Sequence, residues 1–119
     1  MISLEAAVLQ SIDDIAFAKD LEGRYIAGNA AWAQLLGRDL GELIGLSDGD
    51  LFPAEVAAGF LAHDAAMLAS GAAAMNEEWV TYPDGREALL ETRKCPLRDG
   101  AGVVIGMVGV CREIQAPRR

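Results

Sequence analysis

Two glycine turns, "PDGR" at 83–86 and "RDGAG" at 98–102, cut the last third of the chain into three apolar runs. The runs are "NEEWVTY" (76–82), "EALLETRKCPL" (87–97) and "VVIGMVGVCREI" (103–114). Turns this short can join strands only as hairpins, so the three runs predict an antiparallel sheet. The same device occurs earlier, where "IAFAK" (15–19) and "RYIAG" (24–28) flank the turn "DLEG". Five antiparallel strands in one sheet follow.

Between the two groups of strands the apolar spacing turns helical. Asn29 is placed to cap the helix "AAWAQLLG", which Gly37 ends, with Trp32 and Leu36 on one face. "RDLGELIG" reads as a short helical turn and "LSDGDLF" as a loop with a single turn. Pro53 suits the first turn of the longest helix, 53–70, which Gly71 stops. Ahead of the first strand, Ser3 can cap a helix carrying Leu4, Val8, Leu9 and Ile12. The helices are grouped in mid-chain, so they are expected to cover one face of the sheet. The fold class is α+β. The division predicted is an N-terminal helix over 1–12, a domain over 13–115 and a frayed tail over 116–119.

A length of 119 residues fits one domain with one core. The net charge of −8 repels phosphate backbones and anionic lipid, so neither nucleic acid nor a membrane is the expected partner. No apolar run approaches the roughly 20 residues of a membrane span. "MISLEAAVLQSIDD" has no basic start like that of a signal peptide, so the cytoplasm is the expected location. Counting back from "RDGAG" places Cys95 opposite Ile105 and Cys111 opposite Leu89, too far apart for a disulfide. Two buried free thiols are expected.

Strand alternation sorts the side chains. Ile105, Met107, Gly109 and Cys111 share one face of the last strand, and Val104, Val108 and Val110 share the other. Both faces are apolar, so both need cover. Leu90 and Thr92 alternate with Glu91 and Arg93, and the Leu90 and Met107 sets are assigned to the interior. Trp79 and Tyr82 fall on opposite faces of their strand, so one should pack in the core and the other at an interface. On the long helix, His63 shares a face with Val56, Phe60 and Met67. Asp64 lies on the other side of that stripe, with Ala57, Leu61 and Leu68. If it points inward, it must be paired; a hydrogen bond to a nearby loop backbone or contact with a ligand would serve. Neighbouring helix positions diverge by about 100°, which argues against a His63–Asp64 acid–base dyad and against an enzyme.

The order of elements, with "FAKDLEGRYIAGNAAWAQLLGR", "ELIGLSDGDLFP" and "TYPDGREALLETRKCPLRDGAGVVIGMVGVCREI", resembles a PAS domain over Ile12 to Ile114. The resemblance implies a sensory or dimerisation module of a bacterial signalling protein, of histidine kinase or cyclic-di-GMP enzyme type, with its output domain outside this chain. It implies an internal cavity for a small ligand, or relay by protein contact, and no catalysis. The cavity residues it suggests are Asn29, Trp32, Phe60, His63, Asp64, Met67, Leu90, Thr92, Met107 and Gly109. No cofactor is expected. The alternative is a haem-binding gas or redox sensor, since haem-bearing PAS sensors carry their axial histidine on the helix that holds His63. "LSDGDLF" has no cysteine where the flavin-binding light sensors have one, which excludes a thiol–flavin adduct. A homodimer is implied, with Leu4, Val8, Leu9, Ile12, Val104, Val108 and Val110 at its interface. The family's junction Asp-Ile-Thr, linked to signal output, is replaced here by Glu113, Ile114 and Gln115.

Overall fold

The computed structural model describes residues 4–115, and side chains over 7–114. The order of elements is α1 (Leu4–Gln10), β1 (Ile15–Asp20), β2 (Tyr25–Gly28), α2 (Ala30–Leu36), α3 (Leu40–Leu43), α4 (Asp48–Leu51), α5 (Ala54–Ser70), β3 (Ala74–Thr81), β4 (Glu87–Arg98) and β5 (Val104–Gln115). Among the described residues the strands form one sheet in the order β2-β1-β5-β4-β3, every pairing antiparallel. The last strand therefore lies at the centre, and the first hairpin packs against it rather than against its neighbour in sequence.

The turns explain the hairpins. In "DLEG" the Asp20 carboxylate accepts the N–H of Glu22 and of Arg24, and Gly23 takes a φ of +82°. In "DGAG" Asp99 accepts from Ala101 and Val103, and Gly102 takes +84°. Aspartate satisfies the turn backbone, and glycine alone adopts the left-handed corner without strain.

Three bulges modify the alternation. Ala18 pairs with Ala27 but Lys19 with Tyr25, Leu97 with Gly106 but Arg98 with Val104, and Leu90 with Glu113 but Leu89 with Gln115. The extra residues are Ile26, Ile105 and Ile114, and they stand 46%, 43% and 36% exposed. A bulge inserts one unpaired residue and turns its side chain away from the regular face. Ile105 therefore does not join Met107, Gly109 and Cys111 on the inner face, as simple alternation predicts.

The bulge and a connection centred on Ala101 also shift the hairpin register. Cys95 lies opposite Val108 and Cys111 opposite Thr92, not opposite Ile105 and Leu89. The thiols are free, with Cys111 buried and Cys95 only half-buried.

The core lies between the inner sheet face and the helices, around Ile15, Phe17, Tyr25, Trp32, Leu43, Met67, Leu90 and Met107. Asn29 caps α2 as expected, its carboxamide oxygen accepting from Trp32 N–H at 3.1 Å. The loop expected at "LSDGDLF" contains the single-turn helix α4, where the Asp50 carboxylate accepts the Ser47 N–H at 3.0 Å. Pro53 is the residue before α5, in extended conformation, rather than its first turn. Ser3 and the tail 116–119 lie outside the described residues. Among the described residues, no helix is long and apolar enough to cross a membrane.

Neither Trp79 nor Tyr82 enters the core. Trp79 is 53% exposed on the outer side of the edge strand β3. Tyr82 is half-buried, with the Arg86 guanidinium 4.1 Å from its ring centroid. An edge strand has less of the molecule above it, so its large side chains remain partly in solvent.

Candidate functional site

Alternation along β1 sends Ile15, Phe17 and Lys19 inward, and along β4 it sends Ala88, Leu90, Thr92 and Lys94 inward. Phe17, Tyr25 and Trp32 then form an aromatic cluster, with centroids 5.5 Å apart for Phe17–Tyr25 and 4.6 Å for Tyr25–Trp32. Two glycines make room for it. A Cβ on Gly28 would overlap the Trp32 ring, and one on Gly109 would lie 2.5 Å from the Phe17 ring. Opposite the cluster, Phe52 and Phe60 meet edge to face at 5.0 Å.

Between these groups is a cavity of about 320 Å³. Its wall combines the two aromatic groups with Leu35, Leu36 and Val56, the inner face of β3 and β4, and Cys111. Two charged side chains join the wall, Lys94 and Glu78. Val56, on the wall, is 43% exposed, so the cavity approaches solvent beside α5.

Beside the cavity runs a buried network of opposite charges. Asp64 on α5 bridges two lysines, with Oδ2 2.7 Å from Lys19 Nζ and Oδ1 3.0 Å from Lys94 Nζ. The contact to Lys94 is an ion pair out of hydrogen-bond alignment. Lys19 also pairs with Asp48 on α4, and Asp48 accepts the phenolic hydrogen of Tyr25. All four charged side chains are at least nine-tenths buried. The network ties α4 and α5 to β1, β2 and β4. Burial, then the charge of Asp48 and its hydrogen bond, push the Tyr25 hydroxyl far above its ordinary range.

Of the ten residues predicted for the cavity, Trp32, Phe60 and Leu90 reach its wall. The others have different positions. Asn29 is engaged with backbone: Oδ1 accepts from Ala16 and Trp32, and Nδ2 donates to the carbonyls of Ile12 and Asp14. Met67 and Met107 are core residues, and Gly109 lies under the Phe17 ring. Thr92 donates to Glu78 at 2.8 Å, with Cys111 Sγ 3.5 Å from the same hydroxyl oxygen. Asp64 meets lysines rather than a loop backbone. The His63 side chain is 54% exposed, with Nδ1 3.9 Å from Glu78 Oε2, and does not share the interior with Met67. The single stripe expected on α5 fails because the sheet lies under Asp64 and Met67, leaving the His63 side toward solvent.

Sequence reasoning missed Lys19, Asp48, Glu78 and Lys94. The signal was present, because extending the alternation past Phe17 and past Thr92 points both lysines inward. Two buried lysines demand buried acids, and Asp64 is the acid that the helical spacing brings beside Ala57 and Leu68.

Of the residues predicted at a dimer interface, Val8 and Ile12 are exposed and Leu9 is half-buried, while the Leu4 side chain lies outside the described residues. Val108 and Val110 are half-buried on the outer sheet face, whereas Val104, beyond the Ile105 bulge, pairs with Arg98 and so falls on the helix side of the sheet rather than on the expected outer face. At the predicted output junction, Glu113 accepts from Arg86 at 2.7 Å, Ile114 is a bulge residue and Gln115 pairs with Leu89.

Burial pushes the Cys111 thiol up to about 11. Its folded pKa lies above the unfolded value, so its contribution is complete below pH 9 and is lost as pH rises toward 11. That loss amounts to about 2–3 kcal/mol. Cys111→Ala should flatten the alkaline limb of an unfolding free energy profile between about pH 9 and 11. Equal slopes for wild type and variant would show that the thiol does not contribute it.

Residues 9–119 match the family described as PAS fold. The chain belongs to that family. Two curated relatives of this PAS domain are sensor proteins. The aerobic respiration control sensor protein ArcB of Escherichia coli K12 is 30% identical over 111 residues, 93% of this chain and 14% of the relative. The methanogenesis regulatory histidine kinase FilI of Methanothrix harundinacea is 30% identical over 107 residues, 90% of this chain and 12% of the relative. The PAS domain thus spans a small part of each. Among solved structures, Vibrio cholerae VqmA in a complex with ligand and DNA has a TM-score of 0.84 at 25% identity, over 95% of this chain and 52% of that one. A Colwellia psychrerythraea PAS domain has a TM-score of 0.71 at 20% identity, over 92% of this chain and 93% of that one, and shows the shared fold.

Proposed function

We propose that this PAS domain is the sensory module of a larger signalling protein and that its signal is a small molecule held in the cavity. The carrying observation is the cavity itself, about 320 Å³ with an aromatic and aliphatic wall and two charged groups. Ligand sites run from about 300 to 1,000 Å³, mostly apolar with a few placed polar groups, so this one suits a compact ligand. The names of the relatives, a respiration control sensor and a regulatory histidine kinase, support a sensory role. In this reading the domain has no catalytic activity of its own. A histidine kinase type of output domain lies elsewhere in the protein, and the domain works in the cytoplasm. The acidic surface makes the domain itself a poor DNA contact. Haem is not part of the proposal, because His63 stands outside the cavity wall.

The domain is proposed to work as a homodimer through α1 and the outer face of β5. Val8 and Ile12 offer exposed apolar surface there, and VqmA is described as a dimer.

Native mass spectrometry of the chain purified from cells tests both points. The expected result is a dimer carrying additional small-molecule mass, which disappears in Leu35→Trp, where the larger side chain fills the cavity. A monomer would overturn the dimer. Equal bound mass in the wild type and the filled variant would overturn the cavity as the ligand site.

A further inference from the structure

The four formal charges beside the cavity cancel, Lys19 and Lys94 against Asp48 and Asp64. Lys94 is the member that lines the cavity. Its side chain is 4% exposed, its ion-pair partner among the described residues is Asp64, and the Phe60 ring centroid lies 5.7 Å from its ammonium. An ammonium has three N–H bonds, and the Asp64 contact is out of hydrogen-bond alignment, so Lys94 retains donors for the cavity. The other charged wall group is Glu78, 14% exposed. One of its oxygens accepts from Thr92, and the other lies 3.9 Å from the largely exposed His63.

We infer, on the reading of this cavity as a ligand site, that it selects a neutral aromatic molecule bearing a hydrogen-bond acceptor for Lys94 and a donor for Glu78, and rejects an aromatic carboxylate of the same size. A buried lysine on a pocket wall ordinarily suggests an anionic ligand. Here the charge of Lys94 is already balanced by Asp64. A ligand carboxylate would add an uncompensated negative charge beside Asp64, with Glu78 on the same wall. An unbalanced charge in such a site is strongly unfavourable. A carbonyl or ring nitrogen accepts the same N–H and leaves the balance intact. An N–H on the ligand then suits the free capacity of the Glu78 carboxylate. The aromatic part follows from the wall, where Trp32 and Tyr25 face Phe52 and Phe60.

Three probes of one shape separate the possibilities: indole-3-carboxamide, indole-3-carboxylate and 3-methylindole. Each is titrated calorimetrically into the full chain near neutral pH at fixed ionic strength. The carboxamide is expected to bind at least roughly tenfold more tightly than the carboxylate, and more tightly than 3-methylindole. Glu78→Gln keeps the side-chain size and removes its charge, and should narrow the preference by tightening the carboxylate. Lys94→Met should bring the carboxamide down to the level of 3-methylindole. If that variant does not fold, the wild-type ratio and Glu78→Gln still decide the matter. A carboxylate that binds as tightly as the carboxamide overturns the inference, as does a carboxamide no tighter than 3-methylindole, with the cavity still a ligand site. If none of the three binds, the inference is overturned, while the ligand-site reading stands or falls separately on the bound mass of the wild type against Leu35→Trp.

Discussion

Asp64→Ala is expected to lower the unfolding free energy by about 3–5 kcal/mol in urea titration, the range for removing one partner of a buried ion pair. The variant leaves Lys94 buried with no carboxylate and leaves Lys19 with Asp48 alone. The penalty comes from the charges left stranded in the interior more than from the attraction that disappears, so it should depend on those charges. Adding Lys94→Met to Asp64→Ala removes one stranded charge and should recover a substantial part of the loss, a non-additivity that a double-mutant cycle measures directly. If Asp64→Ala costs less than about 1 kcal/mol, or the two substitutions simply add, the network does not hold the helices to the sheet in the manner described. A domain of this kind has about 5–15 kcal/mol in total, so the single variant should approach the limit of stable folding.

Trp32→Ala should have a comparable effect, about 3–5 kcal/mol, for a different reason. Trp32 is 2% exposed, packs at 4.6 Å on Tyr25 and fills the space over Gly28. Its removal opens a void that merges with the cavity, and the strands beneath cannot collapse to close it. Trp32→Phe keeps part of the packing and should cost clearly less. Fluorescence reports the site independently, because the second tryptophan, Trp79, is half in solvent. The variant should lose the blue-shifted part of the emission. A loss of stability below about 1.5 kcal/mol would mean that Trp32 does not organise this wall.

Local chemistry made the fold legible. Asp20 with Gly23, and Asp99 with Gly102, specify hairpin turns within a few residues, and Asn29 marks the start of α2 by its own hydrogen bonds. The cavity was legible in part, since Leu90 and Trp32 are large apolar residues on faces that periodicity identifies. The charge network was overlooked although alternation points both lysines inward, because lysine inside a strand is ordinarily assigned to solvent. Its burial depends on Asp48 and Asp64, which lie 29 and 45 positions from Lys19 along the chain. His63 was misplaced because adjacency to Phe60 and Met67 does not state where the sheet lies under the helix. The register error at Cys95 and Cys111 arose from a connection centred on Ala101 and from the bulge beyond it, neither of which the turn residues alone reveal. Ile105 has no local property that distinguishes a bulged residue from a paired one.

The shared carboxylate of Asp64 also restricts how this sequence can change. Neither lysine can be replaced by a neutral residue without leaving Asp64 overcharged relative to its surroundings, and Asp64 cannot be replaced while both lysines remain. Each single step out of the arrangement passes through a poorly folding intermediate. Lineages that descend from this domain should therefore either keep Lys19, Asp48, Asp64 and Lys94 together or exchange them as a group for apolar side chains, and a drifting sequence would rarely be found halfway.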